Sequence, residues 1–474
     1  MRFWLSCCWL PLVFMAPVAA EGNEPVELQF HGQVLSPSGD PVPQAKLTVL
    51  CGMNRTDRPA KTLTADVDGK VEFMNSCLFS TNIIASGLDG EWLGEARFSS
   101  WNARVDVREP IQIRLKDCLK VTVSVTQDGK PVPGTLVVDS ETMGGPIETD
   151  ADGTAILRLL DANQGSQSIY AWHPERGVAA AHELPGEGRG ALEEFQFELQ
   201  KFQPVVAEVL DIDGKAVPDL EFLPNASWKE DSGRLWFDTT PFPMLSARTD
   251  VDGRAELSWT PTGTRRVDAH IRSPNWLMDR CEAGDAQDLH RLRVREKFPI
   301  RGQVVAPEGV SRHGLLISAS AFGEGDVVDI VETRTNAQGE FMFFAAPGYE
   351  YVLTVCDHEW CSDTLAGVLL AKGQTETDPI TLNLQPAIPA EITVEVGPDG
   401  DPAVDRFVDI TYVVDAEEAT HGISTWLKTD EAGKIRTGLR RGTHTIELDH
   451  LKKREKKDLK IDSDEPVKFL WRLP

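Results

Sequence analysis

The sequence predicts an all-β chain of five small antiparallel β-sandwiches in tandem, behind a secretory leader. Three observations carry that prediction. Gly-centred turns recur about every ninety residues, apolar and polar residues alternate in the segments around them, and helical periodicity is scarce.

The leader comes first. Arg2 precedes a mostly apolar stretch from Phe3 to Met15, and Val18-Ala19-Ala20 supplies small residues before Glu21. This is the layout of a signal peptide cleaved after Ala20; a membrane span would need about 20 apolar residues. The expectation is an exported protein, secreted, periplasmic or at the cell surface, with no membrane span after leader removal. Composition narrows the partners. The 74 Asp and Glu residues outnumber 48 Lys and Arg, and the net charge of −26 disfavours nucleic acid and anionic membrane surfaces. At 474 residues and 41% hydrophobic content, the chain outgrows a single core. Six cysteines follow the leader: Cys51, Cys77, Cys118, Cys281, Cys356 and Cys361. In an exported chain they suggest disulfides, with Cys51 to Cys77 and Cys356 to Cys361 as the expected pairs.

The repeat is read from two turns. Phe30-His31-Gly32-Gln33-Val34 and Ile300-Arg301-Gly302-Gln303-Val304 open alternating strands that end in Gly turns, with weaker copies at 121–129, 205–214 and 392–400. The front glycines, Gly39, Gly129, Gly214, Gly309 and Gly400, are spaced 90, 85, 95 and 91 residues apart. Pro41-Val42-Pro43 follows the first, and Pro131-Val132-Pro133, Ala216-Val217-Pro218 and Pro402-Ala403-Val404 are its counterparts; the fourth copy departs at 310–314. A second turn comes later in each copy: Asp66-Val67-Asp68-Gly69, Asp150-Ala151-Asp152-Gly153, Asp250-Val251-Asp252-Gly253, Asn336-Ala337-Gln338-Gly339 and Asp430-Glu431-Ala432-Gly433. Its glycines are spaced 84, 100, 86 and 94 residues apart. Each copy closes on another alternating strand, such as Ile111-Gln112-Ile113-Arg114-Leu115. Alternation means one buried and one solvated face, which is the logic of antiparallel sheets. The expected units run 21–117, 118–201, 202–297 with a loop insertion, 298–387 and 388–474, after the signal peptide at 1–20. Their linkers are short, so a semi-rigid rod is the expected shape.

The order G-x-V, a Gly-Pro-Val-Pro turn, an apolar strand and then T-D-x-D-G resembles the carboxypeptidase regulatory-like domain. The resemblance covers all five units and is clearest in the first, second and fourth. It implies a transthyretin-like, Ig-like sandwich, grouped by fold with starch-binding-type domains. It implies no peptidase, because that activity resides in a separate catalytic domain for which no residues remain here.

Few residues suggest chemistry. The Asp-x-Asp-Gly turns could offer carboxylates to calcium, but the Gly falls fourth and the twelfth position is Cys77, unlike an EF-hand. A hairpin explains them without metal. No HExxH, G-x-S-x-G or phosphate loop is present, and His444 and Glu447, three apart in an alternating strand, point to opposite faces. No catalytic residues, metal ligands or cofactor are expected. The third unit carries a long insertion with Trp228, Trp236, Phe237 and Phe242. Rings on a projecting loop could stack a polysaccharide, or they could pack the insertion onto its own sheet. The basic block 452–457 reads as a solvated strand edge, and Asn54-Arg55-Thr56 and Asn225-Ala226-Ser227 match the glycosylation sequon. The expected role is non-catalytic: an extracytoplasmic scaffold, spacer or adhesion element whose partner is a polysaccharide or a cell-envelope or extracellular protein. The alternatives are a carbohydrate-binding protein using the third unit's aromatic loop, and an unrecognised hydrolase or peptidase accessory subunit. Oligomeric state is left open.

Overall fold

The structure is a computed structural model that describes residues 28–51, 61–75, 80–87, 90–99, 111–139, 146–159, 168–181, 194–230, 233–239, 241–283, 288–323, 326–357, 359–362, 366–369, 378–404, 406–415, 420–450 and 453–473. The expected signal peptide, residues 1–20, lies outside them.

The chain is built from β-strands, and one arrangement recurs five times. An opening strand lies between two partners. The strands Leu28–Leu35, Leu119–Gln127, Val205–Asp211, Phe298–Val305 and Ile388–Val396 each pair antiparallel with the strand after the rear turn. On the other side each pairs parallel with the closing strand of the same repeat. The sandwiches are therefore antiparallel apart from one parallel pair per repeat, which brings the first and last strands of each repeat side by side. A second sheet covers this one. In the first repeat it centres on Lys46–Cys51 and Ser80–Gly87, and in the fifth on Phe407–Asp415 and Gly442–His450. In the fourth repeat, Trp360–Ser362 pairs with strands of both sheets and joins them at one edge.

Five buried clusters draw on one repeat each: Phe30 to Leu115, Val121 to Leu199, Val205 to Val294, Ile300 to Leu384 and Ile388 to Leu473. The alternation seen in the sequence is realised directly. Along Ile111–Arg114, buried and exposed residues alternate.

The rear turn shows why the repeat is written as it is. Asp150 Oδ1 accepts the backbone N–H of Asp152 and of Thr154, both at 2.9 Å. Asp66, Asp250, Asn336 and Asp430 do the same at their own i+2 and i+4 positions. The leading carboxylate is spent on the turn itself, as the hairpin reading requires. Gly153 has φ of 71°, and a Cβ there would stand 2.8 Å from the Val125 carbonyl oxygen and the Val132 nitrogen. Both left-handed backbone and close approach demand glycine. That approach lets Val125 N–H donate to the Gly153 carbonyl at 2.8 Å, so the turn docks on the opening strand. The Thr before the turn is buried in four repeats. Thr249 Oγ1 donates to the Val217 carbonyl at 2.7 Å and accepts the Leu220 N–H at 2.9 Å, which ties the front turn to the second sheet.

The basic block falls on the edge strand Lys453–Ile461, where Lys456 pairs with Glu447 at 3.0 Å; lysines on an exposed edge discourage pairing with other chains. Consecutive repeats touch. Lys120 pairs with Glu91 at 2.6 Å between the first and second, and strand Trp360–Ser362 of the fourth lies against Lys434–Leu439 of the fifth. Where the third meets the fourth, Tyr349 donates to Asp279 at 2.9 Å, and Arg295 lies over the Tyr349 ring. Beside this, Lys297 and Asp329 form a largely covered ion pair at 2.8 Å, and Asp329 also accepts the Tyr351 hydroxyl at 2.7 Å. The expected semi-rigid rod is corrected at the ends. Strand Thr420–Lys428 of the fifth repeat lies against Leu316–Gly323 of the fourth and also against Trp92–Ser99 of the first, so the first and last repeats meet.

Candidate binding site at the junction of the second and third repeats

The insertion in the third repeat forms the hairpin Glu221–Glu230 with Gly233–Phe237 and a 3-10 turn at Pro243–Leu245. Thr239 fixes it: its N–H donates to Asn225 Oδ1 at 3.0 Å and its hydroxyl to the Pro224 carbonyl at 2.8 Å. Asn225 is thus buried and engaged, which removes it as a glycan acceptor.

The expected stacking platform is corrected. Trp228 is 2% exposed, and Phe237 and Phe242 are fully buried, so none of the three offers a face to solvent. Trp236 is half-buried beside them. The rings pack across the junction. A sixth buried cluster unites Trp228, Phe237, Phe242 and Trp259 of the third repeat with Val138, Tyr170, Val178 and Ala180 of the second. Tyr170 meets Phe237 edge-on at 5.5 Å, Trp172 lies 6.2 Å from Phe242, and Phe237 stacks on Phe242 at 5.5 Å. The physical reason is area. Fully burying one such side chain contributes roughly 1.5–3 kcal/mol, and the outer face of the second repeat's sheet supplies the apolar partner.

That outer face is what the sequence reading missed. In Ile169–His173, Ile169 and Ala171 face their own core while Tyr170 and Trp172 face the junction. The neighbouring Gly177–Ala181 divides likewise, with Ala179 inward and Val178 and Ala180 outward. Two adjacent strands apolar on both faces are the signature of a sheet covered on both sides, and it was legible. The connection between the repeats is clamped as well. The Gln203 N–H donates to the Thr260 carbonyl at 2.7 Å, the Thr260 hydroxyl returns to Gln203 at 2.6 Å, and the Thr262 N–H donates to the Lys201 carbonyl at 2.9 Å.

Above this core lies a cleft of about 510 Å³, with Trp172, Phe202, Met244 and Trp259 among its lining and Glu175 and Arg248 at its rim. Arg248 is held by Asp219 at 2.8 Å and Glu221 at 3.0 Å. The Arg272 guanidinium, with Arg248 behind it, keeps the Glu221 carboxyl below the usual range. On the far side of the third repeat, burial and then Asp268 push the Cys281 thiol up to about 12, so it stays protonated and donates to Asp268 at 2.9 Å. A thiol so held is no nucleophile. His444 is buried in strand Gly442–His450, with Nε2 2.9 Å from the Arg440 carbonyl and its ring edge-on to Tyr412. Of the expected disulfide residues, Cys356 and Cys361 occupy opposite positions on paired strands. Cys77 and the side chains of Cys51 and Cys356 lie outside the described residues.

No family model and no curated relative matches the sequence. Among solved structures, the chain is similar to the Bacillus anthracis TIE protein at 12% identity, over 82% of this chain and 72% of that one, with a TM-score of 0.17. It is similar to a streptococcal ancillary pilin at 11% identity, over 57% and 99%, with a TM-score of 0.16. BcpA, the major pilin subunit of Bacillus cereus, aligns at 8% identity over 94% and 99%, with a TM-score of 0.15. Scores this low say nothing of what the chain does.

Proposed function

We propose that the chain is an exported, non-catalytic scaffold or adhesion element, with β-sandwich modules divided after residues 20, 117, 201, 297 and 387. One observation carries this reading: a sheet of the second repeat is apolar on both faces and is covered on its outer face by the third. Neighbouring domains in a chain move freely by default, unless a large apolar interface holds them. An insertion that buries three aromatic rings in such an interface supports a role in which fixed geometry between modules matters. The partner on this reading is a cell-envelope or extracellular component.

Limited proteolysis of the full chain tests it. The connection at 200–203 should resist cleavage in the native protein and become the first site cut in Trp228→Ala. Equal cleavage of both proteins there would mean that the interface holds nothing.

A further inference from the structure

The cleft at the junction runs beside an open sheet edge of the third repeat. Among the described residues, strand Arg254–Leu257 pairs with Val205–Asp211 on one side and with no strand on the other. Its ladder tells which backbone groups are left open. The Val209 N–H donates to the Gly253 carbonyl at 2.7 Å, and the same register sets Ala207 opposite Ala255 and Val205 opposite Leu257. In an antiparallel pair, residues bonded to the partner alternate with residues whose N–H and carbonyl point away from it. Glu256 is of the second kind: Val206, opposite it, gives its N–H to the Asp288 carbonyl instead, at 2.7 Å. Arg254 also points away, but its turn satisfies it; it donates to Asp250 Oδ1 and accepts the Asp250 N–H, both at 2.8 Å. The Glu256 backbone has no such turn, and the residue lines the cleft. An open edge of this kind is a template for another strand.

The rest of the lining narrows what the edge accepts. Trp172 and Phe202 are half-buried and Met244 stands 55% exposed, so apolar surface borders the cleft. A thioether adapts to side chains of varied shape. Glu175 and Glu256 are exposed, and among the described residues neither pairs with a cation, whereas Arg248 is engaged by Asp219 and Glu221. Like charge disfavours an acidic segment here, and opposite charge favours a basic one. The volume of about 510 Å³ lies in the range of small-ligand sites, roughly 300–1,000 Å³. That admits a short stretch of extended chain and no folded domain.

We propose that the cleft binds an extended segment of a partner protein, with apolar and basic residues in alternation, which adds to the open edge at Glu256 as a further strand. Main-chain hydrogen bonds to Glu256 supply the attachment, and alternation places the two kinds of side chain on opposite faces of the added strand. The inference rests on the packing of the third repeat against the second, which brings Trp172 and Glu175 to the cleft.

The test is calorimetric titration of the full chain with the capped peptide acetyl-Lys-Val-Lys-Val-Lys-Val-amide. Saturable binding is expected, and none for the analogue with Glu in place of Lys. N-methylation of the valines, and separately of the lysines, asks whether backbone groups carry the binding. Alternate N–H groups of a strand face the same side, so the affinities of the two methylated peptides should differ by about tenfold or more. Glu256→Pro removes an N–H from the open edge and leaves the ladder to Val205–Asp211 intact, and should weaken binding by about tenfold. Glu256→Gln keeps that N–H and should weaken it less. Cleavage at 200–203 is followed in each protein, so an opened junction and an edge that does not bind are separate results. A junction cut readily in the native chain would remove the cleft, and the proposal with it. With the junction intact, no saturable binding of the basic peptide would overturn the proposal alone. So would equal affinity for the acidic analogue, equal affinity of the two methylated peptides, or full affinity in Glu256→Pro.

Discussion

Gly129 and Gly153 share a repeat and nearly the same φ, 71° in both, yet they differ in surroundings. A Cβ on Gly129 meets nothing within 4 Å, whereas one on Gly153 collides with Val125 and Val132 backbone. Gly129→Ala should therefore cost only the left-handed penalty, roughly 1–2 kcal/mol. Gly153→Ala should cost more than about 3 kcal/mol, because the collision is with main chain that cannot move without unpairing a strand. Denaturant unfolding of the two variants measures the difference. The buried threonines make a parallel case. Thr249→Val keeps the shape but strands the Leu220 N–H and the Val217 carbonyl, and should cost about 1–3 kcal/mol. The first repeat has Ala65 at this position, so its turn is held without the brace.

Histidines set a pH limit at the same scale. Burial lowers the pKa of His444, and that of His290 likewise. The folded value lies below the unfolded one of ~6.5, so the unfolded chain binds the proton first. Stability is full above about 6.5 and falls as pH drops through that value towards the folded pKa. Melting temperatures of the native chain should decline between pH 7 and 5, and His444→Gln should flatten part of that slope. An unchanged slope would remove His444 as a contributor.

At the scale of elements, the turns and opening strands were the legible part, because their chemistry is local. An Asp that must accept two backbone N–H groups and a Gly that must approach a strand leave a fixed spelling. The parallel pairing of first and last strands was not legible, since the two lie most of a repeat apart and alternation alone does not encode direction. The insertion was half-legible. Its aromatic content and length were visible, but Trp228 in isolation cannot reveal whether water or another repeat covers it. The deciding residues are Tyr170 and Trp172, on a strand that lies outside the recurring turn motif. Because the insertion packs across the junction, Trp228→Ala should cost about 3–5 kcal/mol and should lower the unfolding of the second and third repeats together. Half-buried Trp236 should cost less when truncated. Hydrogen exchange resolved by peptide would separate the two outcomes, with protection lost in both repeats or in the third alone.

At the scale of the molecule, each repeat touches the next and the last touches the first, by strand Thr420–Lys428 against Trp92–Ser99. The net charge of −26 is spread over all five repeats. On the proposed scaffold reading, a closed circuit of sandwiches with an aromatic and an ionic junction among its contacts holds its binding surfaces at fixed separations. Small-angle scattering of residues 21–474 tests that claim most directly. A repeat of about 91 residues has a radius of gyration of about 12 Å, so five in a ring give about 29 Å and five in a row about 45 Å. The account predicts the smaller value, unchanged between low and high protein concentration. A value near that of the row, with the long maximum dimension that goes with it, would contradict it.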